Sequence, residues 1–337
     1  MSHAVPSGSP AGTTRRGTVL LLPPRAKLAG HRLPPEVARA LGRADLLQGE
    51  AGGTAQLRRH FDLIPRGWPV AALTRAIDAG DAAGTQWLRA DPAWIRPDIN
   101  GARLFAVGEG LRLARADVEA LLPSLRPLFG DAGMPIDAPD PSRWYLRVAP
   151  GVPLPESTDP DDALGADLGD ALVDDARSRD AAAARQADAR RWRTLLSEAQ
   201  VVLHNHPWNA RRAAEGKPPV NSLWIWGGGA MPDRVATRFA GIGSGDVLLR
   251  GLAACAGLVP QPSPDGFAML ADGDALLDAR AVPDAESLFD RWLHPAMRTL
   301  RQGELQALAL DFADGARFEL RAGQRWRLWR RPLRALA

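Results

Sequence analysis

The chain has 337 residues, of which 45% are hydrophobic and 24% charged, and this excludes a disordered or fibrous protein. No run of about 18 uncharged apolar residues occurs, so no membrane span is expected, and the opening MSHAVPSGSPAGTTRRG lacks the apolar core of an export signal. The net charge is only +3, with Lys27 and Lys217 the sole lysines among 42 basic residues, and the charge balance alone gives no reason to expect a nucleic-acid partner.

The single cysteine, Cys255, cannot form an internal disulfide, and its apolar helical surroundings predict a packing role. Together with the missing leader, this predicts a cytoplasmic location. Residues 1–16 are small, polar and without period, and are expected to form a disordered tail. VLLL at 19–22 reads as a buried strand of a parallel sheet, closed by Pro23 and Pro24. Helices are expected over 34–47 and 69–80. From 85 to 159 the texture changes to short, proline-bearing strands (WLRADPAWIRPDI, ARLFAV, RWYLRV) around a helix at 115–129, which predicts a smaller inserted α+β lobe. Helices at 174–203, 244–258 and 285–301 follow, with LWIWGGG at 223–229 read as a strand running into a glycine turn. ALALDF and RFELRA close the chain as a hairpin turned by Asp314–Gly315. The alternation predicts an α/β core over 17–84 and 160–337 with a mostly parallel sheet. The final run, RAGQRWRLWRRPLRALA, is expected to be a terminal strand with its arginines reaching for solvent; six arginines beside Trp326 and Trp329 would also suit phosphates and stacked bases.

The chemistry concentrates in 203–229, LHNHPWNARRAAEGKPPVNSLWIWGGG. Arg211 and Arg212 can present forked donors to a phosphate or carboxylate, and Gly227, Gly228 and Gly229 can expose bare backbone amides to an anion. His204 and His206 have an H-x-H spacing, which is a weak metal signal on its own. No Gly-Lys-Ser/Thr follows the glycines, so they are not a P-loop. Arg89 and Asp91 either join this site or pair with each other. Trp224 and Trp226 alternate on the strand and are expected to be packed.

The run His206-Pro207-x-Asn209-x-Arg211-Arg212, then Gly216-Lys217, Pro219, Asn221 and Gly227, resembles the signature of archaeal-type cofactor-independent phosphoglycerate mutases, members of the alkaline-phosphatase superfamily. WLRADPAWIRPDING with Arg89 and Asp91 is similar to the start of their inserted lobe, and RWYLRV with Arg143 and Tyr145 to its closing strand. TDPDDALGADLGDAL at 158–172 resembles the segment returning to the core, and GSGDVLLRGLAACAGL at 243–258 the helix after the glycine turn. Within that superfamily the LRADP and WYLR segments most resemble RpfE-type regulatory proteins. The resemblance implies an alkaline-phosphatase-like core and a site in which His206, Asn209, Arg211, Arg212, Asn221, Gly227, Gly228, Arg89 and Asp91 bind an anion.

The resemblance also implies two divalent ions and a nucleophilic serine, and here the sequence departs. The first strand ends in Pro23–Pro24 without an acid, and His294 is the only histidine after His206. The expectation is therefore a non-catalytic relative with no catalytic residue, no metal and no cofactor. It would bind a small phosphorylated or carboxylated metabolite and act through a regulatory protein partner. The alternatives are an active metal-dependent mutase and a protein or nucleic-acid interaction module.

Overall fold

The computed structural model describes residues 17–98, 101–155, 158–165, 182–270 and 273–336. The expected tail at 1–16, the first part of the helix expected from 174 and residues 166–172 of the returning segment lie outside them.

In chain order the strands are β1 (Gly17–Leu22), β2 (Asp45–Gln48), β3 (Asp62–Ile64), β4 (Gln86–Asp98), β5 (Gly101–Val107), β6 (Ile136–Asp140) and β7 (Arg143–Val148). They continue with β8 (Ser222–Ala230), β9 (Arg234–Ala236), β10 (Gly241–Gly243), β11 (Ala275–Asp278), β12 (Ala307–Phe312) and β13 (Ala316–Arg321). The helices are α1 (Pro35–Arg43), α2 (Gly53–Arg58), α3 (Val70–Asp78), α4 (Arg115–Asp131), α5 (Pro160–Ala163), α6 (Ala182–His204), α7 (Trp208–Ala214) and α8 (Val247–Cys255). The last two, α9 (Ala285–Ser287) and α10 (His294–Gln302), are joined by a π-helical segment, Leu288–Leu293.

The chain divides into two compact units. The first takes in residues up to 60, 237–246 and those from 257 onward, and carries a sheet in the order β10-β11-β1-β12-β13-β2. Its first four strands pair in parallel, and β13 runs antiparallel between β12 and β2. This is a mixed α/β unit with a parallel-dominated sheet, the arrangement expected of an alkaline-phosphatase-like core. β1 is a continuous apolar run because both its faces are covered; Leu20, Leu21 and Leu22 are wholly buried. One sheet face, through Leu20, Leu277, Leu310 and Phe312, meets Val37 and Leu41 of α1, Trp292, Leu293 and Met297. Register places Asp278, Leu21 and Asp311 in one row across β11, β1 and β12, on the opposite face.

The second unit spans 61–236 and 247–256. Its main sheet is antiparallel, with β4 pairing β5, β7 and β8 and β6 pairing β7. Against it lie α4 and α6, whose Leu121, Leu125, Phe129, Trp192, Leu195, Ala199 and Leu203 form one core with Leu88, Trp144 and Leu146. The inserted lobe is thus wider than residues 85–159. Strand 222–230, expected in the parallel core, instead pairs with β4, so the whole motif-bearing stretch belongs to this unit.

Three local expectations are corrected. The helix expected over 34–47 stops at Arg43, and Asp45–Gln48 becomes an edge strand paired with β13. No turn forms at the three glycines; β8 runs through them to Ala230. The C-terminal run is no strand beyond Arg321: residues Ala322–Trp326 make a short 3-10 turn and the rest is irregular.

Candidate functional site

The residues expected to bind an anion around 206–228 are brought near one another, and most of their polar atoms already have protein partners. Arg212 is 1% exposed; its Nη1 stands 2.8 Å from Asp117 Oδ1, Nε donates to the Pro218 carbonyl and Nη2 to the Leu111 carbonyl. Asn209 Nδ2 donates to the carbonyls of Leu203 and Val220, while its Oδ1 accepts the Val220 amide. Asn221 does the same against β4, accepting from the Ile95 amide and donating to the Ile95 carbonyl. His206 Nδ1 accepts the Trp208 amide at the start of α7. Only Arg211 faces solvent, stacked 4.6 Å from the Trp208 ring centroid and paired with Glu215.

The glycines are also spent on packing. A Cβ on Gly227 would stand 2.8 Å from Val70 Cβ, and one on Gly228 would stand 2.7 Å from Leu88 Cδ2. Gly229 would press on Pro69 in the same way. The absent side chains at Gly227 and Gly229 let the start of α3 approach β8, and that at Gly228 makes room for Leu88 and Leu154. The motif HPxNxRR…N is therefore a device for fastening α7 and the 215–221 loop to the lobe.

Arg89 and Asp91 pair with each other. Spaced by two on β4, they share a face, and the guanidinium grips the carboxylate at 2.8 Å through both Nε and Nη2. Trp226 Nε1 donates to Asp91 at 2.7 Å, and the Arg89 guanidinium lies between the rings of Tyr145 and Trp226. Burial pushes the Asp91 carboxyl up, against the pull of Arg89 and Trp226. A second network adjoins it: Arg143 forks onto Asp78, Tyr145 donates to Asp78 at 2.6 Å, and Arg75 joins Asp81 and Asp137. Burial also raises the Tyr145 phenol. Each of these cations is matched by a carboxylate.

The residues best placed for chemistry were not among the sequence candidates. They sit at the carboxyl ends of the parallel strands in the first unit, where open α/β sheets hold their ligands. Asp278 ends β11. Ser244, just past β10, donates to its Oδ2 at 2.7 Å, and Arg280 forks onto it through Nε and Nη2. Asp311, two strands away, takes Arg59 Nη2 at 2.7 Å and His60 Nε2 at 2.7 Å. Gln56 fastens the strand ends beneath, donating to the carbonyls of Leu22 and Asp311.

Burial opposes ionisation of both carboxyls, yet their donors prevail and hold Asp278 and Asp311 below the usual carboxylate range. Burial drives His60 down, outweighing Asp311, so the imidazole is neutral near pH 7. The local signal for both acids is a short apolar run leading into Asp, ALLD and ALALD.

A two-metal centre does not fit these donors. Each carboxylate already accepts a forked guanidinium, a divalent ion would have to expel Arg59 or Arg280, and the chain leaves β1 through Pro23 and Pro24, which supply no carboxylate. Among the described residues no three ligating side chains converge.

No protein-family model matches the chain. Over 70 residues it is 46% identical to a probable 2,3-bisphosphoglycerate-independent phosphoglycerate mutase of Geobacter sulfurreducens, a match covering 19% of this chain and 17% of that protein. Over 80 residues it is 36% identical to the 2,3-bisphosphoglycerate-independent phosphoglycerate mutase of Methanosarcina acetivorans, covering 22% and 20%. The chain thus aligns with no more than about a fifth of either relative's length. Among solved structures, the cofactor-independent phosphoglycerate mutase of Thermoplasma acidophilum aligns over 93% of this chain and 90% of its own, at 17% identity and a TM-score of 0.39.

Proposed function

We propose that the protein is a phosphoglycerate mutase-like protein that performs no metal-dependent phosphoryl transfer, and that it serves as a regulatory sensor of a small phosphorylated or carboxylated metabolite. One observation carries this reading: both acids at the carboxyl end of the parallel sheet are neutralised by arginine, where the mutase chemistry would call for divalent ions. Phosphoryl transfer needs a strong local cation on the transferring group and an activated nucleophile. Ser244 instead spends its hydroxyl proton on Asp278 and accepts the Asp246 amide. Asp311 orients His60, but the ring is 1% exposed and cannot reach a substrate.

Arg59 and Arg280 keep about a fifth of their side chains exposed beside those acids. They are the donors through which an anion would be felt at this edge. The sequence similarity to mutases favours the competing reading of an active enzyme, so the test is turnover. Purified protein with 3-phosphoglycerate and manganese, coupled through enolase, should give no rate above the no-enzyme control, while thermal stability should rise with phosphoglycerate. Turnover that titrates with protein would instead make it a mutase.

A further inference from the structure

The C-terminal arginine-rich run is absorbed by nothing described so far, and its structure differs from the strand expected of it. After β13 the chain passes over α1 and is pinned at several points. Arg43 Nη1 donates to the Arg325 carbonyl at 2.9 Å, and Arg327 returns a bond to the Arg43 carbonyl at 3.1 Å while pairing with Asp45. The Leu333 amide donates to the Ala38 carbonyl at 2.8 Å, and Leu336 is buried in the core. Gly42 makes this possible, since a Cβ there would collide with the Arg331 carbonyl oxygen.

Between these anchors Trp326 and Trp329 stand 67% and 77% exposed, with Leu328 beside them. Two indoles so exposed on a fastened segment are unusual for a surface without a partner. Arg325 lies 5.1 Å from the Trp326 ring centroid. Trp326 adjoins a groove of about 150 Å³ lined by Arg39 and Arg43 of α1, Arg301 of α10, and Arg321 and Arg325. Glu36 is the one acid in its lining, and Arg301 occupies it. From Arg321 to the end the sequence holds six arginines and no acid.

We propose that this groove and the two exposed indoles of the segment that borders it bind single-stranded nucleic acid without strict sequence preference. Guanidiniums along a groove track a phosphate backbone, and exposed aromatic faces on the same segment of chain accept unstacked bases. The alternatives fit the geometry less well. A second copy would bring six arginines against six. A bilayer is flat, whereas Arg39, Arg43 and Arg325 line a groove rather than ring an apolar tip. This inference is independent of the regulatory reading above.

The full chain should bind fluorescein-labelled rU20 or dT20 in an anisotropy titration, with intrinsic tryptophan fluorescence quenched in parallel. The logarithm of affinity should fall against the logarithm of salt with a slope of about −2 to −3, as expected for three or four phosphate contacts. The double variant Trp326→Ala/Trp329→Ala should weaken binding about fivefold or more at an unchanged slope. Arg39→Gln/Arg325→Gln should flatten the slope by about 1 to 1.5. All four residues are exposed, so both variants should melt as wild type does. No binding at 50 mM salt, equal binding by both variants, equal affinity for duplex DNA, or binding only to polyglutamate or to vesicles containing phosphatidylserine would each overturn the proposal.

Discussion

Arg211 and Arg212 are adjacent in sequence and opposite in role. Arg212 lies under the lobe with its guanidinium spread over Asp117, Pro218 and Leu111, whereas the Arg211 side chain is 65% exposed. Removing a buried cation strands its carboxylate, so Arg212→Met should cost about 3–5 kcal/mol in urea unfolding. Arg211→Ala should stay within about 0.5 kcal/mol of wild type. If Arg212→Met unfolds at the wild-type urea concentration, the motif is not the fastening device described above.

His60 gives a second residue-scale expectation. Its folded pKa lies below the ordinary 6.5, so the native state holds it neutral and unfolding takes up a proton as pH falls below that value. Stability is therefore present above about pH 6.5 and lost as pH drops through it. Asp311, also lowered, adds a loss of the same sign below about pH 4. The melting temperature should fall between pH 7.5 and 5.5, and His60→Gln, which keeps a donor for Asp311, should remove part of that fall. An identical fall in the variant would contradict the assignment.

At the scale of elements, glycine decides where helices approach. Gly251 lies on α8 against α3, and a Cβ there would stand 2.6 Å from the Leu73 carbonyl oxygen. Backbone cannot retreat as a side chain can, so Gly251→Ala should cost about 1–3 kcal/mol. Gly130, inside α4, has nothing within 4 Å of its Cβ position, so Gly130→Ala should stabilise by about 0.4–1 kcal/mol. Opposite signs from one substitution type check the packing without reference to function.

Helical spacing in 192–203 and the apolar run at 19–22 were legible because a covered face writes its period into the sequence. The Arg89–Asp91 pair was only half legible: mutual pairing was one of two open readings, and it is decided by β4 returning the two residues to one face. The strands β2, β3, β9 and β10 were not, being only three or four residues long. Nor was the closeness of Asp278 and Asp311, which depends on the register of β11 and β12 against β1 rather than on anything local. The role of the 206–221 motif was not legible, because buried donors that satisfy carbonyls and open donors that await an anion are spelled with the same residues.

At the scale of the whole molecule, arginine–carboxylate pairs stand at the carboxyl end of the parallel sheet. The most direct measurement is metal content by plasma emission spectroscopy, on protein incubated with excess manganese and then desalted. Fewer than about 0.1 ions per chain are predicted, because the carboxylates are already satisfied by Arg59 and Arg280. Retention of two ions per chain, lost on Asp278→Asn or Asp311→Asn, would contradict it.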